Sequence, residues 1–185
     1  FDEPIIVPAG TKRIMVTVHK QKEVYNPKSG EVFIAGTTQD NGESWYLGCD
    51  LNHPLARTTD LTIPVPKANF YINVTGEVFN TKSLGPITRL SHNLNDEIID
   101  SGIHSCSSSF IYWARAFTLK DFGISNNEEF VINSGQVGIN KTGWLPEIRF
   151  NIYEIDDNFP CSFSEKKLIG SSQYKELKPS IDENS

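Results

Sequence analysis

Glu154, Asp156 and Asp157 end the most regular stretch of the chain. From Glu147 to Tyr153, apolar and polar side chains alternate as in a half-buried β-strand. The strand therefore delivers carboxylates to the rim of a sheet, and alternation puts Glu154 and Asp156 on one side of an extended backbone. A calcium ion takes roughly six to eight oxygens, several of them anionic and carried on flexible loops. These three acids are the candidate metal ligands. An acidic turn that simply faces water is the plainer alternative, because that is what clustered charges usually form. Lys167-Leu168-Ile169-Gly170 reads as the returning strand.

A second cluster is a turn. Thr38-Gln39-Asp40-Asn41-Gly42-Glu43-Ser44-Trp45 resembles the Asp-box of sialidases and related propellers, with Thr38, Asp40, Gly42, Ser44 and Trp45 at its defining positions. Asn41-Gly42 is a strong hairpin dipeptide. Asp40 can accept backbone N–H bonds across the turn, and Trp45 can cover it. One copy cannot make a propeller in a chain of 185 residues, so the motif is read as a structural hairpin. Trp45 and Tyr46 are candidate ring faces for a carbohydrate contact.

Catalytic signals are sparse. His19, His53, His92 and His104 form no zinc-binding spacing, and Cys-x-x-Cys does not occur. His104 and Cys106 share a face if their segment is extended, which is the geometry of an imidazole-activated thiolate, although most such pairs are accidental. Arg115 interrupts the apolar run Phe110–Phe117; a cation there either meets a buried acid or points at a ligand. No catalytic residue is assigned.

Short strands must position these groups. Arg13–Val18, Val32–Gly36, Trp45–Leu47, Leu61–Val65, Phe70–Phe79, Phe110–Phe117, Glu147–Tyr153 and Lys167–Ile169 all read as strands. Phe130–Ile132 and Gln136–Ile139 read as a hairpin around Asn133-Ser134-Gly135. Helical turns are expected only at Asn95–Ser101, Lys120–Gly123 and Tyr174–Leu177. Leu84–Cys106 reads as a long functional loop. This pattern predicts an all-β fold: a single antiparallel β-sandwich over residues 1–178, C-two-like or immunoglobulin-like, with little helix and a flexible tail at 179–185.

Phe150–Asp157 followed by Leu168-Ile169-Gly170 resembles the C-two-type domain family, whose antiparallel sandwiches bind calcium and phospholipid through acidic loops. The resemblance implies that Glu154 and Asp156 stand at the paired-aspartate positions, with Asp157 as an additional acid and Ile169-Gly170 opening the next strand. It also implies a second acidic loop, for which Asp50, Asp96, Glu97 and Asp100 are the donors at hand. Glu154 departs from the expected Asp, and the family's earlier acidic loop has no matching segment.

Charge narrows the partners. A net charge of −6 with scattered basic residues argues against nucleic acid. No apolar run is long enough for a transmembrane segment, although peripheral membrane contact fits the C-two resemblance. The chain opens at Phe1 rather than Met, which is read as a removed N-terminal segment. Cys49, Cys106 and Cys161 allow one disulfide, and Asn73 and Asn140 head N-x-Thr sequons. The expected location is secreted, periplasmic or cell-surface. The expected function is non-catalytic recognition of another protein, as an adhesion, inhibitor, immunity or secretion-machine module, with no cofactor. A calcium-dependent membrane-docking module and a hydrolase with an unassigned site are the alternatives.

Overall fold

In the computed structural model, residues 1–20, 32–37, 42–47, 56–57, 69–80, 83–104, 112–142, 146–160 and 165–177 are described. The paired elements are strands, every pairing is antiparallel, and the described residues contain no α-helix. The first layer runs in the order β14 (Lys167–Ser171), β13 (Glu147–Glu154), β2 (Arg13–Lys20), β10 (Tyr112–Thr118), β4 (Ser44–Leu47), β5 (Ala56–Arg57), with β15 (Lys175–Glu176) also on β13. The second layer has two parts. One is β1 (Ile5–Val7), β11 (Glu129–Val137), β7 (Ile72–Asn80) and β8 (Ser83–Leu90). The other is β12 (Ile139–Thr142), β3 (Val32–Thr37) and β6 (Asn69–Phe70), with β9 (Ile99–His104) on β3.

The alternation read from the sequence accounts for the layering. Ile14, Val16 and Val18 of β2, Trp113 and Phe117 of β10, and Ile148, Phe150 and Ile152 of β13 point into one core. The facing layer supplies Ile72, Val74, Phe130 and Ile132, together with Val32, Ile34 and Phe70. The intervening residues of β2 are buried too, because Met15 packs with Trp45, Ala114, Ile155 and Phe159 on the outer face of the first layer. The fold is therefore the expected antiparallel sandwich-like all-β architecture, with its central strands covered on both sides.

The two parts of the second layer meet at a fork. The β7–β11 ladder ends at the Ile72–Val137 pair. One residue further, the Gly138 N–H donates to the Tyr71 carbonyl (2.9 Å) and the strands diverge. β3 enters the gap: the Ala35 N–H donates to the Gly138 carbonyl (2.8 Å), and the Ala35 carbonyl accepts from the Tyr71 N–H (3.1 Å). Beyond this junction, β3 pairs with β12 on one side of Ala35 and with β6 on the other. Gly138 is needed for room, since a Cβ there would lie 3.0 Å from the Ala35 Cβ and 3.1 Å from the Tyr71 Cβ.

Several sequence expectations are corrected. Asn133-Ser134-Gly135 does not turn a hairpin: β11 runs through it, and the register shift between Ile132 and Ser134 marks a β-bulge that absorbs the extra residue. β3 and β4 are not hairpin partners but lie in different sheets. Much of Leu84–Cys106 is strand. β8 pairs along β7 as an edge, where Pro86 is tolerated, and β9 begins at Ile99. Asn95 caps no helix; its Oδ1 accepts from the Glu97 N–H (3.2 Å) in an Asx turn. The turn expected at Lys120–Gly123 is a 3-10 helix, Leu119–Phe122, closed by Gly123 at φ 77°. Tyr174–Leu177 holds β15 rather than a helical turn. Leu61–Val65, the cysteines at 49, 106 and 161, and the tail at 179–185 lie outside the described residues.

The fork makes a stability prediction. Gly138→Ala forces Ala35 and Tyr71 apart at the junction and should cost about 1–3 kcal/mol, measured as a lower urea midpoint with an unchanged m-value. An unchanged midpoint would show that the junction has slack.

Candidate functional site

The expected acids come together at one end of the sandwich, and a set of cations unforeseen in the sequence joins them. The chain turns into β2 at Gly10, whose φ of 93° is left-handed. The Gly10 N–H donates to the Asn126 carbonyl (2.6 Å), tying this turn to the segment before β11. Lys12 and Arg13 then sit between two neighbours. On one side the Leu119 N–H donates to the Lys12 carbonyl (2.9 Å), and Thr118 is opposite Arg13 in the ladder. On the other side the Ile155 N–H donates to the Arg13 carbonyl (3.2 Å). Backbone pairing thus places Lys12 and Arg13 between Thr118–Lys120 and Glu154–Asp157.

Two concavities flank these residues. The first encloses about 370 Å³; Glu154, Asp156, Asp157 and Glu165 face Lys12, Lys166 and Lys167 across it. The second encloses about 400 Å³ and shares Lys12 and Asp157, adding Arg13, Thr118, Lys120 and Asn126. In the first, the Lys167 ammonium pairs with Glu154 (3.3 Å), while Lys166 lies 5.3 Å over the Tyr153 ring, its pKa lowered by burial. Asp156 accepts the Asn158 N–H at Oδ1 (2.9 Å), and its carbonyl accepts from the Arg13 guanidinium (2.8 Å).

Aromatic packing holds the acidic loop. Ile155 and Phe159 are buried on either side of the exposed Asp156-Asp157-Asn158. Phe159 meets Trp45 edge-on at 5.1 Å, in a cluster with Met15 and Ala114. Trp45 is only 3% exposed, so its ring is spent on this packing rather than offered to a sugar. Tyr46 is half-buried and packs toward the main core.

Arg115 is buried between the layers. Its NH1 donates to the Phe70 carbonyl (2.8 Å) and to Ser44 Oγ (3.2 Å), and the same Oγ accepts from the Phe70 N–H (2.7 Å). Asn69 continues the clasp: Oδ1 accepts from the Ser44 N–H and Nδ2 donates to the Gly42 carbonyl. A Cβ on Gly42 would overlap the His92 ring, which stacks on Phe117 at 4.9 Å. Gly42, Ser44 and Arg115 therefore bolt β4 and β10 to β6. Thr38 and Asp40 lie outside the described residues.

The second-loop donors go elsewhere. Asp96 accepts from the Tyr71 hydroxyl (2.6 Å) and pairs with Arg89 (3.1 Å), which lowers its pKa through those two bonds in that order. Neither Asp96 nor Glu97 lines the acidic cavity, and Asp100 lies on β9. Among the described residues, no three His, Cys, Asp or Glu side chains converge as a metal site would require. No helix among them is long and apolar enough to cross a membrane. Asn73 of the first sequon is buried, whereas Asn140 is exposed.

Comparison with known protein families, with curated proteins and with solved structures finds no match to this chain. The residues that sequence reasoning missed are Lys12, Arg13, Lys120, Glu165, Lys166 and Lys167. The doublets Lys12-Arg13 and Lys166-Lys167, each at the start of a strand, were the available signal.

His19 lies outside this end and sets a pH response. Its ring stacks on Tyr112 (4.8 Å), and Nδ1 lies 3.0 Å from the Tyr174 hydroxyl. Burial, then the Arg149 charge, pushes its pKa down from 6.5 to about 4. The unfolded chain therefore binds a proton below pH 6.5 that the folded chain refuses until about pH 4. The contribution is present above pH 6.5 and is lost as pH falls through that window. Urea unfolding of wild type and His19→Gln across the window should show a shallower pH slope in the variant; parallel slopes would contradict the assignment.

Proposed function

We propose that this protein is a non-catalytic recognition module that engages another protein with the charged end of its sandwich. The observation that carries the reading is the pair of adjoining cavities around Lys12 and Asp157, one lined by four carboxylates and three lysines, the other by three cations and a single carboxylate. Opposed charges laid out on hydrogen-bonded strand ends suit electrostatic complementarity, which selects a partner and its register more than it adds raw affinity. The anchoring of Asp156 and Asp157 between Ile155 and Phe159 supports the same reading, because a preorganised loop loses less entropy on binding. Capture from the native source should recover a stoichiometric protein that is released by salt and lost on Asp157→Lys combined with Glu165→Lys. A partner held equally well by that variant would move the interface elsewhere. Turnover of a hydrolase substrate that the variant abolishes would replace recognition with catalysis.

A second reading has its own observation. Glu154, Asp156, Asp157 and Glu165 line one cavity and carry the oxygens a calcium-dependent membrane-docking loop uses, although no three of them converge as a metal site would require. The ammonium groups of Lys12, Lys166 and Lys167 in that cavity oppose a cation, which is why this reading ranks second. A ligand that binds only the folded state must raise the melting temperature. Millimolar calcium should raise it in wild type but not in Asp156→Asn if the site holds the ion; no shift in wild type removes this reading.

A further inference from the structure

The second cavity has a charge balance opposite to that of the molecule. The chain carries −6 overall, yet here Lys12, Arg13 and Lys120 face a single carboxylate, Asp157. Neutral donors complete the lining, in the Thr118 hydroxyl and the Asn126 amide. The lysines differ from those of the neighbouring cavity. Lys167 is paired with Glu154 and Lys166 lies over Tyr153, whereas neither Lys12 nor Lys120 forms an ion pair among the described residues.

Backbone bonds fix this arrangement. Lys12 and Lys120 flank the Leu119 N–H to Lys12 carbonyl bond, which sets how far apart their Cα atoms stand. The guanidinium of Arg13 is anchored by one bond to the Asp156 carbonyl, which leaves the rest of its donor fork uncommitted to that carbonyl. The Asn126 carbonyl is held by the Gly10 N–H, so the loop carrying the Asn126 amide is tied to the same turn.

We propose that this cavity is an anion cradle that seats an oxyanion of the partner, a side-chain carboxylate or a phosphate, against Lys12, Arg13 and Lys120. The inference rests on the recognition reading and gives it a chemical class: the partner presents an acidic segment to one cavity while its basic groups meet the carboxylates of the other. Charge-assisted hydrogen bonds from several cations to one oxyanion are the strong kind.

The test uses the whole chain. Amide-resolved NMR at low salt follows titrations with tetra-glutamate and, separately, with inorganic phosphate. Saturable shifts are expected at Lys12, Thr118, Lys120 and Asn126. The double variant Lys12→Met/Lys120→Met should weaken binding by roughly tenfold or more, while Lys141→Met, exposed on β12, should not. Both Lys12 and Lys120 are exposed, so the double variant should keep the wild-type urea midpoint. Tight binding of tetra-glutamate alone marks a carboxylate partner, and of phosphate alone a phosphorylated one; either supports the cradle. Silence with both probes, or shifts unchanged in the double variant, overturns it. If the titrations are silent while Asp157→Lys/Glu165→Lys still loses the captured protein, the cradle fails and the recognition reading stands. Saturable anion binding with no protein captured leaves the cradle standing and removes the recognition reading.

Discussion

Three backbone hydrogen bonds arranged as a ring through Ala35, Tyr71 and Gly138 determine how the second layer closes. Where two strands part, each leaves a row of N–H and C=O groups without a partner, and a buried backbone group without a bond is costly. β3 meets that need by pairing with both diverging strands. Its entry brings Val32 and Ile34 into the core opposite the first layer. The fork thus joins what would be two small sheets into one surface large enough to cover β13, β2 and β10. A Cβ at position 138 would crowd Ala35 and Tyr71, and the fork leaves Tyr71 pointing its hydroxyl at Asp96.

The first layer solves a different problem. β2 and β10 are covered on both faces, so their outward residues need a cover of their own. The acidic loop supplies part of it, because Ile155 and Phe159 fold back on Met15, Trp45 and Ala114. One interaction therefore buries an outer face and presents Asp156 and Asp157 at the end of the sandwich. Arg115 works at the opposite face, where it spans from β10 to the Phe70 carbonyl of the other layer. A guanidinium in a core needs acceptors for its donors, and Ser44 and Phe70 supply two of them, both to NH1.

Period-two patterning made the layers readable. β2, β7, β10 and β13 lie close to where their alternation puts them; a slip of one residue would exchange the sets that meet the core and the outer cover. Turn chemistry was less informative. Asn133-Ser134-Gly135 has turn residues, yet the same backbone freedom serves a bulge inside β11, and only pairing along β7 decides between them. Asn41-Gly42 suggested a hairpin because local sequence does not say which layer the next strand joins. β8 was hidden by Gly85-Pro86, which lowers strand propensity without preventing an edge strand. Glu154, Asp156 and Asp157 were visible because they are sequence neighbours at a strand end, whereas Glu165 joins them only through the return into β14. The basic half was not visible, because Lys12, Arg13 and Lys120 come together only through the pairing of β2 with β10.

That division bears on how recognition would work. An acidic protein repels an acidic partner at long range, so steering by net charge does not favour the complex. At physiological ionic strength the screening length is about 8 Å, and charges spread over the sandwich lose most of their reach. What remains is local: the groups around Lys12 and Asp157, carried beside the paired ends of β2, β10 and β13. Specificity then depends on the alternation of charge at that end rather than on its sum. Such alternation has a meaning only while β2, β10 and β13 keep their register, since a slip of one residue would exchange the inward and outward sets and scatter the cluster. The apolar side chains that fix that register, Val16 and Ile152 among them, are therefore as much determinants of recognition as the charged groups they align.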